Sequence, residues 1–231
     1  MKLLKIAVLF LLPVACPAQS MLALATRYNA SLREFERGHQ TIPLERVLRK
    51  GKILSDKTDD LEKLSAADYA TFKKRMRGFV INREEIVFTE PDANFFYRLA
   101  LRRGTAADKS FFRLLREFKP YGVWPTHVEQ QTDVTGCTSY GNGRLTRLYG
   151  HALNFRRSFP RSYASFVNQE IRDIREQFDP NLCACGGRES VIREFTLFVK
   201  TYPKEKKTSQ IRATLRRLKY DKGFRFNCHS G

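Results

Sequence analysis

The sequence predicts a mainly α fold of antiparallel helical hairpins, with a repeat-like C-terminal half and one small β-hairpin. Three observations carry that expectation. Apolar residues recur at helical spacing in four successive stretches after Arg144, separated by short breaks. Two Ser/Thr-x-x-Asp boxes, Ser65–Asp68 and Thr105–Asp108, mark helix starts, because hydroxyl and carboxylate can satisfy the free amides there. Finally, Phe155-x-x-x-Phe159-Pro160 recurs as Phe198-x-x-x-Tyr202-Pro203. Each copy puts two rings on one helix face and ends the helix with a proline.

Taken in order, residues 21–37 read as a helix that ends at Gly38. Residues 43–64 are mixed and charged, and no element is assigned to them. A helix opens at Ser65 and stops at Gly78. Phe79-Val80-Ile81 and Ile86-Val87-Phe88 are short β-type runs around a polar centre, the candidate hairpin. Pro91-Asp92 opens a helix over 93–103, closed by Gly104, and Thr105 opens another that reaches about Lys119.

Residues 120–143 carry Pro120, Gly122, Pro125, Gly136, Gly141 and Gly143, the composition of a long loop. Beyond it lie the four apolar stripes. The first is Leu145, Leu148, Tyr149, Ala152, Phe155 and Phe159. The second is Tyr163, Phe166, Val167, Ile171, Ile174 and Phe178. Val191, Ile192, Phe195, Phe198, Val199 and Tyr202 make the third, and Ile211, Leu215 and Leu218 the fourth. Short connections between such helices imply antiparallel neighbours. The expected organisation is a signal segment over 1–18, an N-terminal helical lobe over 19–119 and a C-terminal hairpin lobe over 120–231.

Lys2 and Lys5 precede the apolar run Ile6–Leu12, and small residues follow near Ala18, the three-part layout of an export signal. The run is too short to span a bilayer. Periplasmic or secreted localisation is therefore expected. Val14-Ala15-Cys16 offers an alternative, since it resembles the end of a bacterial lipoprotein signal, in which Cys16 would carry a lipid anchor. The mature chain is expected to hold no transmembrane helix.

Export gives the remaining cysteines, Cys137, Cys183, Cys185 and Cys228, an oxidising environment. Cys183 and Cys185 are too close in sequence to pair with one another without strain. Two pairings remain, and both join Cys137 to the 183–185 loop and that loop to Cys228. The rival reading is a zinc site of Cys183, Cys185, Cys228 and His229.

The chain carries 42 Lys plus Arg against 24 Asp plus Glu, a formal net charge of +18. Residues 192–231 hold 11 of the cations and only 3 of the acids. Arg212, Arg216 and Lys219 share one helix face, and Arg144, Arg147 and His151 share another. Such stripes attract anions, and these five Lys and Arg residues are the candidate anion-binding residues. Export argues against cellular nucleic acid and favours an anionic envelope surface or an acidic partner protein.

The 120–143 loop also collects His127, Glu129 and Asp133, whose residue types could do acid–base work. No recognised catalytic signature surrounds them, and no cofactor is expected: the GNG at 141–143 lacks the strand and the Lys-Ser/Thr of a phosphate loop.

The repeated Phe-x-x-x-aromatic-Pro ending resembles that of tetratricopeptide-like helical hairpins in bacterial envelope proteins, over residues 142–219. The resemblance implies a stacked helical scaffold that binds partner proteins. The leading expectation is thus an exported, basic helical interaction protein that binds an anionic envelope component or a partner protein. One alternative is an envelope hydrolase or transferase using His127, Glu129 and Asp133. Another is a secreted toxin acting on membranes or nucleic acid. On balance the sequence leans away from an enzyme.

Overall fold

The computed structural model describes residues 17–38, 42–84, 86–120, 124–132, 135–179, 183–221 and 223. The expected signal up to Cys16 lies outside them, as do Asp133, Cys228 and His229. Among the described residues the chain forms ten helices and two small antiparallel hairpins.

The helix borders follow local chemistry. α1 (Pro17–Arg37) ends at Gly38, whose φ of 85° is left-handed. α4 (Ala66–Arg75) starts where the Ser65 hydroxyl accepts from the Asp68 amide. Asp92 caps α5 (Ala93–Arg103) by accepting from the Asn94 and Phe95 amides. Thr105 and Asp108 form a complete, reciprocal capping box at the start of α6 (Ala106–Phe118). In the C-terminal half, α7 (Arg144–Ser158), α8 (Ala164–Glu176), α9 (Arg188–Thr201) and α10 (Thr208–Tyr220) carry the four apolar stripes. α7 packs on α8, α9 on α10, and α7 on α9.

The sequence repeat has a structural counterpart. Phe159 (φ −134°, ψ 65°) and Tyr202 (φ −123°, ψ 62°) end α7 and α9 in nearly the same conformation. In both, the backbone N–H donates to the carbonyl of the phenylalanine four residues earlier, at 2.8 Å.

Residues 43–64, unassigned from sequence, fold as α2 (Leu44–Ser55) and the single turn α3 (Thr58–Glu62). Leu44, Val47, Leu48, Gly51 and Leu54 face the core at helical spacing. Gly51 hides this stripe in the sequence, because it contributes absence of bulk: a Cβ there would lie 2.3 Å from the Phe79 ring.

β1 (Phe79–Asn82) pairs with β2 (Phe88–Pro91), with Phe79 opposite Pro91 and Asn82 opposite Phe88. The second strand begins two residues later than its apolar run suggests. A second hairpin, β3 (Val128–Gln130) with β4 (Gly136–Thr138), stands inside the segment expected to be loop. Three residues per strand leave too short an alternation to read. The far edge of β4 is held by residues 183–185, through Thr138 N–H to the Cys183 carbonyl and Cys185 N–H to the Thr138 carbonyl.

One cluster of buried side chains extends from α1 to α10. It crosses the expected lobe boundary through an aromatic series: Tyr28, Phe79, Phe96, Phe112 and Tyr163 meet successively at centroid distances of 5.2–5.8 Å. Tyr163 stacks on Phe111 at 3.8 Å. Rather than sitting inside the second C-terminal helix, Tyr163 precedes it with a left-handed φ of 53°. Its hydroxyl donates to Asp108 at 2.6 Å and its backbone N–H to Glu45 at 2.8 Å. Those contacts, with the ring stacked on Phe111, hold a conformation that a bulky residue adopts only under constraint.

Candidate functional site

A cleft with a volume of about 1010 Å³ lies where four segments meet. Asn82, Ile86 and Phe88 of the first hairpin form one side. The C-terminal end of α6 contributes Arg116 and Glu117, followed by Pro120. Trp124, Pro125 and alternate residues Thr126, Val128 and Gln130 come from the second hairpin. α7 presents Arg144, Arg147, Leu148 and His151, one face at i, i+3, i+4 and i+7.

Three guanidinium groups therefore converge on a cleft with one carboxylate among its described lining residues. That carboxylate is engaged: Glu117 Oε2 lies 2.5 Å from His151 Nδ1. Arg144 donates to the Thr126 carbonyl, tying α7 to the second hairpin. Thr126 is fastened to α6 as well, its N–H to the Phe118 carbonyl at 2.8 Å and its hydroxyl to the Glu117 carbonyl at 2.9 Å. Arg116 lies over the Tyr97 ring at 4.6 Å. Arg116 and Arg147 are exposed, with no ion-pair partner among the described residues.

The N-terminus of α7, which carries Arg144 and Arg147, is capped from another helix. Glu194 of α9 is 1 % exposed. Its carboxylate accepts from the Gly141 amide at 3.1 Å, the Gly143 amide at 2.8 Å, and both the amide and hydroxyl of Thr146 at 3.1 and 2.9 Å. The GNG turn does cradle an anion, and that anion belongs to the chain itself. Gly141 (φ 88°) and Gly143 (φ 69°) adopt left-handed conformations that turn their amides toward it. Nothing near residue 141 in the sequence announces Glu194.

Of the candidate acid–base residues, His127 and Glu129 lie elsewhere and Asp133 is outside the described residues. Strand alternation that turns Thr126, Val128 and Gln130 to the cleft turns His127 and Glu129 away from it. His127 is buried, and its Nδ1 has no hydrogen-bond partner. Burial, followed by the nearby Arg144 and Lys119 charges, pushes its pKa down to about 4. Glu129 is exposed and accepts from the Ser139 hydroxyl.

Cys137 and Cys185 form a disulfide, joining β4 to the 183–185 loop. Cys183 is also disulfide-bonded. The carboxylate of Glu129 approaches the Cys137 and Cys185 sulfurs within 4.8 Å. Bonded to each other, these sulfurs offer no thiolate to a metal, and the same bond takes Cys185 out of the alternative zinc set.

On α10, Ile211 and Leu218 are buried and Leu215 partly so, while Arg212, Arg216 and Lys219 are exposed. None of the three has an ion-pair partner among the described residues. No helix of the described residues is long and apolar enough to cross a membrane.

The chain matches no protein-family model, and no curated protein sequence and no solved structure shows significant similarity to it.

Proposed function

We propose that this is an exported, basic helical interaction protein that captures an anionic envelope component in the α6–α7 cleft. The observation that carries the reading is the convergence of Arg116, Arg144 and Arg147 on one concave surface, where the one carboxylate among the described lining residues, Glu117, faces His151. Guanidinium groups in a cleft focus field lines and bind phosphate or carboxylate through paired N–H donors. Because Glu194 already occupies the amides at the start of α7, attraction to a ligand comes from the side chains. The exposed Arg212, Arg216 and Lys219 of α10 supply a second, flatter basic face for the same anionic surface.

The charged head and apolar run at residues 2–12 support export, to the periplasm or outside the cell, with a lipid on Cys16 as the alternative outcome. Intact mass of protein from its native host separates these. Cleavage near residues 15–19 or a diacylated Cys16 supports export, and a full-length product overturns it. The stacked-hairpin resemblance at 142–219 is compatible with a partner-binding scaffold. The hydrolase or transferase reading has weaker support, because His127 and Glu129 turn away from the cleft.

Retention on anionic and zwitterionic vesicles at low and high salt tests the binding. Wild type is expected to be retained on anionic vesicles only, less as salt shortens the screening length. The Arg116→Glu/Arg147→Glu variant loses most of that retention, and Arg212→Glu/Arg216→Glu/Lys219→Glu weakens it. Retention that is indifferent to salt and to both variants overturns the reading.

A further inference from the structure

We infer that the cleft takes an amphiphilic anion: a single apolar chain ending in a phosphate or carboxylate head. This rests on the anion-binding reading and narrows its ligand class.

The lining of the cleft combines two kinds of chemistry. Arg116 and Arg147 present exposed cations with no ion-pair partner among the described residues. Ile86, Phe88, Trp124 and Val128 each leave apolar surface open to the cleft. A hydrophilic anion such as inorganic phosphate would satisfy the guanidinium groups and leave that apolar surface wet. A neutral apolar ligand would bury it and leave the cations unused. Only a molecule with both parts uses the whole cleft, and ligand sites commonly combine an apolar lining with a few placed charges. A volume of about 1010 Å³ accommodates an alkyl chain with its head group. The apolar part is also unlike a membrane-facing surface. It is concave and set between two hairpins and two helices, so it suits one chain rather than a bilayer face.

Trp124 is the only tryptophan of the chain, so its fluorescence reports on this wall directly. The folded full chain is titrated, below micelle-forming concentrations, with inorganic phosphate, octyl phosphate, decyl phosphate, decanoate and decanol. A fully buried methylene is worth about fourfold in affinity (about 0.8 kcal/mol), so decyl phosphate, two methylenes longer, should bind up to about fifteenfold tighter than octyl phosphate. Decyl phosphate against decanoate separates a phospholipid-type head from a fatty-acid head, and binding of either supports the proposal. Arg116→Glu/Arg147→Glu should reduce decyl phosphate binding at least tenfold at unchanged thermal stability. Val128→Asn should remove the chain-length dependence while inorganic phosphate still binds.

If phosphate binds and chain length has no effect, the amphiphile inference fails and anion binding stands. If decanol binds as tightly as decyl phosphate, or the double arginine variant binds decyl phosphate unchanged, the cations are idle and both readings fail. Absence of any binding by the five probes also overturns both for this cleft.

Discussion

The buried carboxylate of Glu194 accepts both the amide and the hydroxyl of Thr146, so the first turn of α7 is finished by a residue of α9. The same carboxylate takes the amides of Gly141 and Gly143. A helix that ordinarily needs a neighbouring Ser, Thr or Asp at its start is here completed across the fold. Arg144 and Arg147 of the cleft stand on that helix, so their placement depends on this contact.

Replacing Glu194 by Ala leaves four donors without this acceptor, of which the Thr146 amide and hydroxyl make buried bonds. At about 1.5–2 kcal/mol for each of two charge-assisted bonds, the loss should be about 3–4 kcal/mol. Glu194→Gln keeps one acceptor oxygen and should lose about half as much. Urea denaturation measures both, and equal stability of Glu194→Ala and wild type would show that the cap is dispensable.

His127 sets an acid sensitivity. In the unfolded chain its imidazole gains a proton as pH falls through about 6.5. In the folded chain it stays neutral down to about 4. The unfolded state therefore binds more protons in that window, and stability falls as pH falls through it, by roughly 3 kcal/mol at full effect. Above about pH 6.5 the group adds no pH dependence. His127→Leu should flatten this part of the stability curve relative to wild type, and parallel curves for the two proteins would refute the assignment.

The Cys137–Cys185 disulfide closes a separation of 48 residues. In the chain-entropy account a loop of that length stabilises by about 4 kcal/mol. The Cys137→Ala/Cys185→Ala protein should unfold at correspondingly lower denaturant. The amides of residues 136–138 should also lose hydrogen-exchange protection, because β4 depends on the 183–185 loop for its outer edge. Unchanged protection there would separate the hairpin from the disulfide.

Gly51→Ala should destabilise despite the better helix propensity of alanine. The new methyl would meet the Phe79 ring at 2.3 Å and the Tyr28 ring at 3.1 Å. Propensity contributes about 1 kcal/mol in favour, and overpacking a tight core costs about 1–3 kcal/mol. A net loss of about 1 kcal/mol is expected, recovered in part by Phe79→Leu in the same chain, since neighbouring substitutions couple. A stabilised Gly51→Ala single variant would contradict the packing.

Much of the fold was legible because its signals are local. Asp92 and Gly104 bracket α5, Thr105 and Asp108 start α6, and the Phe-x-x-x-aromatic-Pro endings stop α7 and α9. Each acts within one turn of its own backbone. α2 was missed because Gly51 interrupts its stripe with a residue whose use is visible only against Phe79. The second hairpin was missed because its strands are three residues long and depend on Cys185 for an edge.

The candidate site divides in the same way. That Arg144, Arg147 and His151 share a face follows from the 3.6-residue period, and their sequence spacing alone determined it. That Arg116 joins them, that Trp124 and Val128 supply an apolar wall, and that His127 and Glu129 turn aside were decided by the tertiary structure. Helix caps and stripes are set by neighbours a few residues away. A cleft is set by segments brought together through burial, whose favourable free energy exists only once the chain has closed over them.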